Sequence, residues 1–206
     1  LCFSLGLWTV YLSEGTPIHL LSDVYLFSVH MLQHVLLTLI LPPLVLLGLH
    51  RGLIPFYTLQ LESLGGITLF PAVAMAGAGQ VGAAIALYIK AKRVHNDRLN
   101  QVIAGALPAG ILGIGEPLIY GVTLPLFRPF IGACIGAAFG GAVIATAGVG
   151  ALAMGVSGVL LALLVDKVGM YFLGIIVSYI AGFIATWLLG FDESRMSEAE
   201  AFNFGD

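Results

Sequence analysis

One carboxylate lies inside a long apolar stretch, and its setting gives it the clearest chemical potential in this sequence. The stretch covers residues 102–126 and is interrupted repeatedly by glycine and proline. Glu116 lies near its middle, between Gly115 and Pro117. A carboxylate at membrane depth is costly to bury and is a functional hypothesis by default, and it can accept hydrogen bonds from two neighbouring hydroxyls. The plainer alternative is a glutamate at a re-entrant tip that hydrates or caps a helix.

Two histidines form a second candidate site near the start of the chain. His30 and His34 are four positions apart, so they share one face of a predicted helix. Met31 is adjacent and His19 lies upstream, and imidazole and thioether groups suit copper. His30 and His34 are therefore weak candidates for a copper or haem role. The alternative is an inert or packed polar face.

The composition restricts the class of protein that can carry these groups. Of 206 residues, 59% are hydrophobic and 9% are charged, and the mean hydropathy is +1.04. A soluble domain is usually about 45–50% apolar and about 25% charged. The composition thus predicts an integral membrane protein in a lipid bilayer, without a soluble catalytic domain. The net charge of −3 gives no indication of a nucleic-acid partner.

The apolar stretches predict the membrane segments, because a spanning helix needs about 20 mostly apolar residues. We expect an all-α polytopic membrane protein with about six or seven segments, one of them broken or re-entrant. An interrupted segment must be buried in protein or line a cavity, and transporters build substrate sites from such segments. The predicted segments are residues 1–12 (the end of a span that begins before the sequence), 24–49, 67–89, 102–126, 129–147, 149–165 and 170–189.

Charge predicts the orientation. Half of the eight lysines and arginines lie in residues 90–101, which we interpret as a loop. Positively charged loops stay on the cytoplasmic side, so we expect this loop there. The acidic tail, residues 191–206, is expected on the same side because of the family resemblance given below and not because of its charge, since acidic residues contribute little to this rule.

Three strings carry a family resemblance: GLHRGLIPFY at residues 48–57, MAGAGQVGAA at 75–84 and GEPLIYGVTLP at 115–125. Residues 48–193, approximately, resemble the C-terminal half of enzyme IIC, the membrane subunit of the sugar phosphotransferase system. The resemblance is to the glucose–glucoside branch, which includes N-acetylmuramic acid carriers. It implies a multi-pass protein of the bacterial inner membrane that translocates a glucoside or amino sugar.

The resemblance also implies site residues. In this family the sugar binds at the Glu of the Gly-Glu-Pro motif and at the His that opens His-x-Gly-Leu, which here are Glu116 and His50, with Gly115 and Pro117 alongside. An imidazole near the reacting hydroxyl can orient it or take its proton, so His50 is the candidate catalytic residue. The alternative for His50 is a helix-end histidine at the membrane interface. Where the family often has Gly-Lys, this chain has Phe127 and Arg128, so Arg128 keeps the charge.

Partners follow from the same resemblance. Cys2 and Cys134 lie in apolar runs and not in the family's Cys-x-Thr-Arg setting, so phosphorylation needs a separate enzyme IIB bound near the basic loop. The family implies a homodimer at full length and no cofactor. Since much of the family's scaffold half is absent from these residues, we expect a permease component with little transport of its own. Which sugar it takes depends on pocket shape.

A second resemblance covers the beginning of the chain. Residues 22–48 (SDVYLFSVHMLQHVLLTLILPPLVLLG) resemble the CtaG family, which is linked to cytochrome c oxidase assembly. We therefore divide the chain into a CtaG-like helix fragment (1–49), an enzyme IIC sugar-binding domain (50–190) and the tail (191–206). A gene fusion, a designed joint or a sequence-assembly error would each produce this hybrid. The alternatives to sugar transport are a metal-linked oxidase assembly fragment and an inactive hybrid.

Overall fold

The computed structural model describes residues 52–190, and within them the chain is helical. Two isolated bridges, Ile67 with Ala151 and Ala151 with Val165, are the only β-type pairings in this range. The predicted all-α class is therefore confirmed for the described residues. The helices are α1 (Ile54–Leu64), α2 (Leu69–Arg93), α3 (Asp97–Ile111), α4 (Glu116–Leu118), α5 (Leu124–Leu126), α6 (Arg128–Ala147) and α7 (Val168–Leu189), with a π-helical turn (Ile119–Thr123) and a 3-10 helix (Gly158–Leu164).

Three of these helices, α2, α6 and α7, are long and apolar enough to cross a membrane. They correspond to the segments predicted at 67–89, 129–147 and 170–189. The segments predicted at 1–12 and 24–49 lie outside the described residues. The count of six or seven segments therefore stays a prediction, with three candidate spans in the part of the chain described.

The prediction of a loop at residues 90–101 is largely wrong. Helix α2 continues to Arg93 and α3 begins at Asp97, so only three residues separate them. Asn96 caps α3, since its side chain accepts a hydrogen bond from the Leu99 N–H at 3.0 Å. Basic residues extend α2 because lysine and arginine are good helix formers whose charges favour a helix C-terminus.

Glycine allows α2, α6 and α7 to pack in direct backbone contact. A Cβ added to Gly79 of α2 would lie 2.8 Å from the Ala137 nitrogen of α6. One added to Gly136 of α6 would lie 2.6 Å from the Gly182 Cα of α7. Small residues permit such close approach between membrane helices, where burial from lipid supplies little driving force. We call these three helices the three-helix core.

A single hydroxyl links all three members of this core. Ser178 of α7 is fully buried, and its Oγ lies 3.0 Å from the Gly136 carbonyl and 3.3 Å from the Met75 carbonyl. These carbonyls belong to α6 and α2. A buried hydroxyl needs such partners because an unpaired polar group in an apolar interior is costly.

Residues 149–165, predicted as a membrane segment, do not form a spanning helix. The chain turns at Gly155, with φ +138°, and at Gly158, with φ +60°, before the short 3-10 helix. Backbone bonds replace helical ones: Ile67 and Ala151 exchange N–H···O bonds of 2.8 Å. Left-handed glycine conformations interrupt a helix whatever the hydropathy of the segment, which is why composition misled here.

Helix α1 packs at the edge of the core, and an aromatic contact is part of this packing. The buried ring of Tyr57 meets Phe70 of α2 edge-on, with 5.5 Å between ring centroids. Burial raises the pKa of the Tyr57 phenol above its usual range. Tyr57 thus contributes apolar packing and stays protonated.

Candidate functional site

The site is built on an interrupted helical path between α3 and α6, which we call the broken segment (residues 113–126). Helix α3 contains Pro108 and ends at Ile111, and Gly113 then adopts φ +104°. Helix α4 starts at Glu116, with Pro117 in its first turn, where a missing N–H is tolerated. The predicted interruption of this stretch is confirmed at residues 112–115, where Gly113 has a positive φ, whereas Pro108 stays within α3.

Two glycines anchor the start of the broken segment. Gly113 crosses Gly158, and a Cβ on Gly113 would lie 2.7 Å from the Gly158 nitrogen. A Cβ on Gly158 would lie 2.6 Å from the Gly113 Cα. Both have positive φ, so side chains are excluded by conformation as well as by space. The loop after α3 is therefore held by backbone contact with the 3-10 region.

The broken segment has two faces. The inner face is buried and packs towards α2 and α3; Leu118, fully buried, fills the space beside Gly110. The outer face is exposed in the described structure and carries Glu116, Pro117, Tyr120, Gly121 and Pro125. The carboxylate thus stands on an accessible surface backed by a packed one.

The predicted site residues take different positions. Glu116 and Pro117 are exposed, while Gly115 is buried, and a Cβ on Gly115 would lie 3.7 Å from the Gly77 Cα of α2. His50, His30 and His34 lie outside the described residues. The structure therefore places the Gly-Glu-Pro motif, and the pairing of Glu116 with His50 stays a prediction.

One polar residue was missed by the sequence reasoning. Gln80 of α2 is fully buried, and its Oε1 accepts a 2.6 Å hydrogen bond from the hydroxyl of Thr123, also fully buried. The bond ties α2 to the π-helical turn. The available signal was a lone glutamine within the apolar part of α2, residues 69–89, because buried glutamine is uncommon.

Cations and an aromatic ring cluster where α2 ends. The Lys90 Nζ donates to the Trp187 carbonyl at 3.1 Å and lies 4.8 Å from the centre of its ring. The Arg93 guanidinium lies 5.2 Å from the same ring. Tryptophan with snorkelling basic side chains is typical of a membrane–water interface. We call Lys90, Lys92, Arg93 and Trp187 the basic end.

Metal binding finds no support within residues 52–190. No group of three or more His, Cys, Asp or Glu side chains there could hold a metal ion. Cys134 is free and buried in α6, as a small apolar residue would be.

Comparison with known proteins finds two similarities. The chain is 53% identical over 151 residues to the "PTS system MurNAc-GlcNAc-specific EIIBC component" of Staphylococcus aureus strain USA300, covering 72% of this chain and 31% of that protein. The protein of the same description from strain N315 gives the same values. The chain thus spans about a third of the length of these curated relatives. No solved structure matches significantly.

The second similarity is to the cytochrome c oxidase caa3 assembly factor family (Caa3_CtaG), which matches residues 1–91. Both predicted resemblances are therefore found. Stretches of 151 and 91 residues cannot both fit in 206 residues without overlapping, and the family match extends into α2. The division at residues 49 and 50 stays a prediction. The apolar helices indicate a membrane protein, and the first similarity relates it to part of the EIIBC components.

Proposed function

We propose that residues 50–190 are the sugar-binding domain of a phosphotransferase-system membrane subunit in the bacterial plasma membrane. Its substrate class is a glucoside or an amino sugar, and Glu116 is its principal ligand. One observation carries the proposal: Glu116 is exposed on a segment whose other face is packed against α2, in a chain similar to a MurNAc-GlcNAc carrier.

The residues of the motif have separate roles in this proposal. Glu116 accepts hydrogen bonds from two sugar hydroxyls, and charge-assisted bonds of this kind are stronger than neutral ones. Gly115 is buried beside Gly77 of α2, and Pro117 fixes the first turn of α4. His50 orients the reacting hydroxyl or takes its proton as the phosphoryl group arrives.

The phosphoryl group comes from a separate enzyme IIB, for which the basic end is the proposed docking face. A phosphorylated partner is anionic, and Lys90, Lys92 and Arg93 supply complementary charge at the end of α2. Trp187 lies beneath these charges and fixes two of them in place. We propose that this end is cytoplasmic and that the assembled carrier is a homodimer.

Equilibrium binding of the MurNAc–GlcNAc disaccharide to the purified chain tests the proposal. Glu116→Gln should weaken binding about 10- to 100-fold, because bonds to a charged group contribute about 1.5–3 kcal/mol. Glu62→Gln is the matched control, since Glu62 is an exposed carboxylate of α1. Equal binding by wild type and Glu116→Gln would reject Glu116 as the ligand.

The family match at residues 1–91 favours a second candidate, a metal-linked oxidase assembly function. It depends on His30 and His34. Copper titration of wild type, His30→Ala and His34→Ala should show a site that either substitution removes. Unchanged copper binding in both variants would reject this candidate without affecting the first.

A further inference from the structure

The bond between Gln80 and Thr123 joins the longest helix of the core to the least regular part of the broken segment. Thr123 is the last residue of the π-helical turn Ile119–Thr123, and both side chains are fully buried. At 2.6 Å the contact is short for a hydrogen bond donated by a hydroxyl. It spans 43 positions of sequence.

Thr123 also lies near two acceptors in its own helical path, but these contacts are longer than the one with Gln80. Its hydroxyl oxygen lies 3.3 Å from the Leu118 carbonyl and 3.5 Å from the Ile119 carbonyl. Threonine within a helix commonly bonds back to such carbonyls. With one proton to donate, Thr123 makes its shortest contact with Gln80, so its strongest bond is to another helix.

The partner amide is only half satisfied. Gln80 Nε2 is buried and has no hydrogen-bond partner within the described residues. Turning the amide over would give Nε2 the Thr123 hydroxyl as acceptor and would leave Oε1 unpaired instead. Either orientation costs stability that an apolar residue would not, so packing alone does not account for glutamine at this position.

The π-helical turn sets the register of the broken segment, and this register decides which way the residues before the turn face. A π-helical turn contains one residue more than an α-helical turn and is frequent at functional sites. If the turn relaxed to α-helix, the residues before it would rotate by about 100° relative to those after it. Glu116 lies before the turn and Thr123 at its end, so the rotation would carry the carboxylate away from its exposed face.

We propose that Gln80 is a positioning residue: by holding Thr123 it maintains the π register, and this register directs Glu116 to the exposed face where the sugar binds. The sugar-binding part rests on the proposed function above. Gln80 acts through Thr123 and does not contact the sugar. The Gln80 amide sets the direction in which the broken segment presents Glu116, and it lowers local stability.

The test compares substitutions at both ends of the bond. Thr123→Val removes the donor with little change of shape, Thr123→Ser restores it, and Gln80→Leu removes the acceptor. Thr146→Val is the control, because the Thr146 hydroxyl bonds only within α6, to the Ala142 and Val143 carbonyls. Amide hydrogen exchange of residues 113–126 is measured without sugar, and MurNAc–GlcNAc affinity and Tm are measured alongside.

We expect Thr123→Val and Gln80→Leu each to speed exchange of residues 113–126 about tenfold and to weaken binding by a similar factor, the value of one lost hydrogen bond. The double variant should be no worse than either single one. Thr123→Ser and Thr146→Val should behave as wild type. The Tm of Gln80→Leu should stay the same or rise, because the unpaired amide is gone. If Gln80 had a purely structural role, its replacement would lower the Tm.

Unchanged exchange of residues 113–126 in Thr123→Val would overturn the proposal, as would a Thr123→Ser variant that exchanges as fast as Thr123→Val. If Gln80→Leu does not fold, the comparison of Thr123→Val with Thr123→Ser still tests the proposal. If the wild-type chain binds no MurNAc–GlcNAc, the proposed function fails, and the exchange comparison still shows whether Gln80 fixes the register.

Discussion

Glycine is frequent in both the three-helix core and the broken segment, but it has different effects in the two regions. In the core, Gly79 and Gly136 let helices touch along their backbones. In the broken segment, Gly113 ends the preceding helical path by taking φ +104°. The first use produces a rigid scaffold, and the second produces a short, interrupted surface on which Glu116 is exposed.

The two regions depend on different interactions. Backbone contact in the core tolerates no added atom, because interiors packed at this density cannot move apart locally. The broken segment is fixed by the glycine crossing of Gly113 with Gly158 and by the Gln80–Thr123 hydrogen bond. Substitutions should therefore act on stability in the core and on site geometry in the segment.

The largest stability effect is expected at Gly79. Gly79→Ala places a Cβ against the Ala133 and Ala137 backbone and should cost about 3 kcal/mol of unfolding free energy, as severe overpacking does. Gly77→Ala is the matched control on the same helix, because nothing lies within 4 Å of its Cβ position. It should leave stability equal or raise it by up to about 1 kcal/mol. Unfolding in detergent, followed by circular dichroism, measures both; similar losses in the two variants would refute the backbone-contact account.

A smaller and opposite effect is expected at Phe127, which joins the broken segment to α6. Phe127 has φ +56° and ψ −57° and an exposed side chain, a conformation that costs a residue with a Cβ about 1–2 kcal/mol. The enzyme IIC family, which the sequence resembles, often has glycine at this position. Phe127→Gly should therefore raise the unfolding free energy by about 1 kcal/mol. Phe127→Ala keeps the Cβ and should not; a gain of the same size with alanine would show that the side chain, and not φ, is responsible.

The smallest effect is expected at the opposite end of the core. The Lys167 Nζ donates to the Ala147 carbonyl at 2.7 Å and to the Gly148 carbonyl at 3.1 Å, which caps α6. Because the side chain is exposed, Lys167→Met should cost only about 0.5 kcal/mol. Lys167→Arg keeps the charge and should recover most of it. A loss well above that value in thermal unfolding would mean that the cap supports more than the end of one helix.

The spans were predictable from sequence because α2, α6 and α7 are continuous apolar runs of membrane length. Residues 149–165 are equally apolar and were predicted wrongly, since hydropathy does not separate a helix from an apolar turn region. The positive φ of Gly155 and Gly158 makes that difference, and glycine identity alone does not reveal it.

The Gly-Glu-Pro motif was predictable from its residues. The hydrogen bond between Gln80 and Thr123 was not predictable from the sequence, because it joins positions 43 residues apart and depends on the π register.

Differential carboxylate labelling tests most directly whether a sugar covers Glu116. A carbodiimide modifies accessible carboxyl groups, and mass spectrometry reads Glu116 and Glu62, both exposed, in the same sample. Saturating MurNAc–GlcNAc should reduce labelling of Glu116 several-fold, because a bound sugar buries most of its surface in the site, and should leave Glu62 unchanged. Labelling of Glu116 that stays the same with and without the sugar would contradict the account.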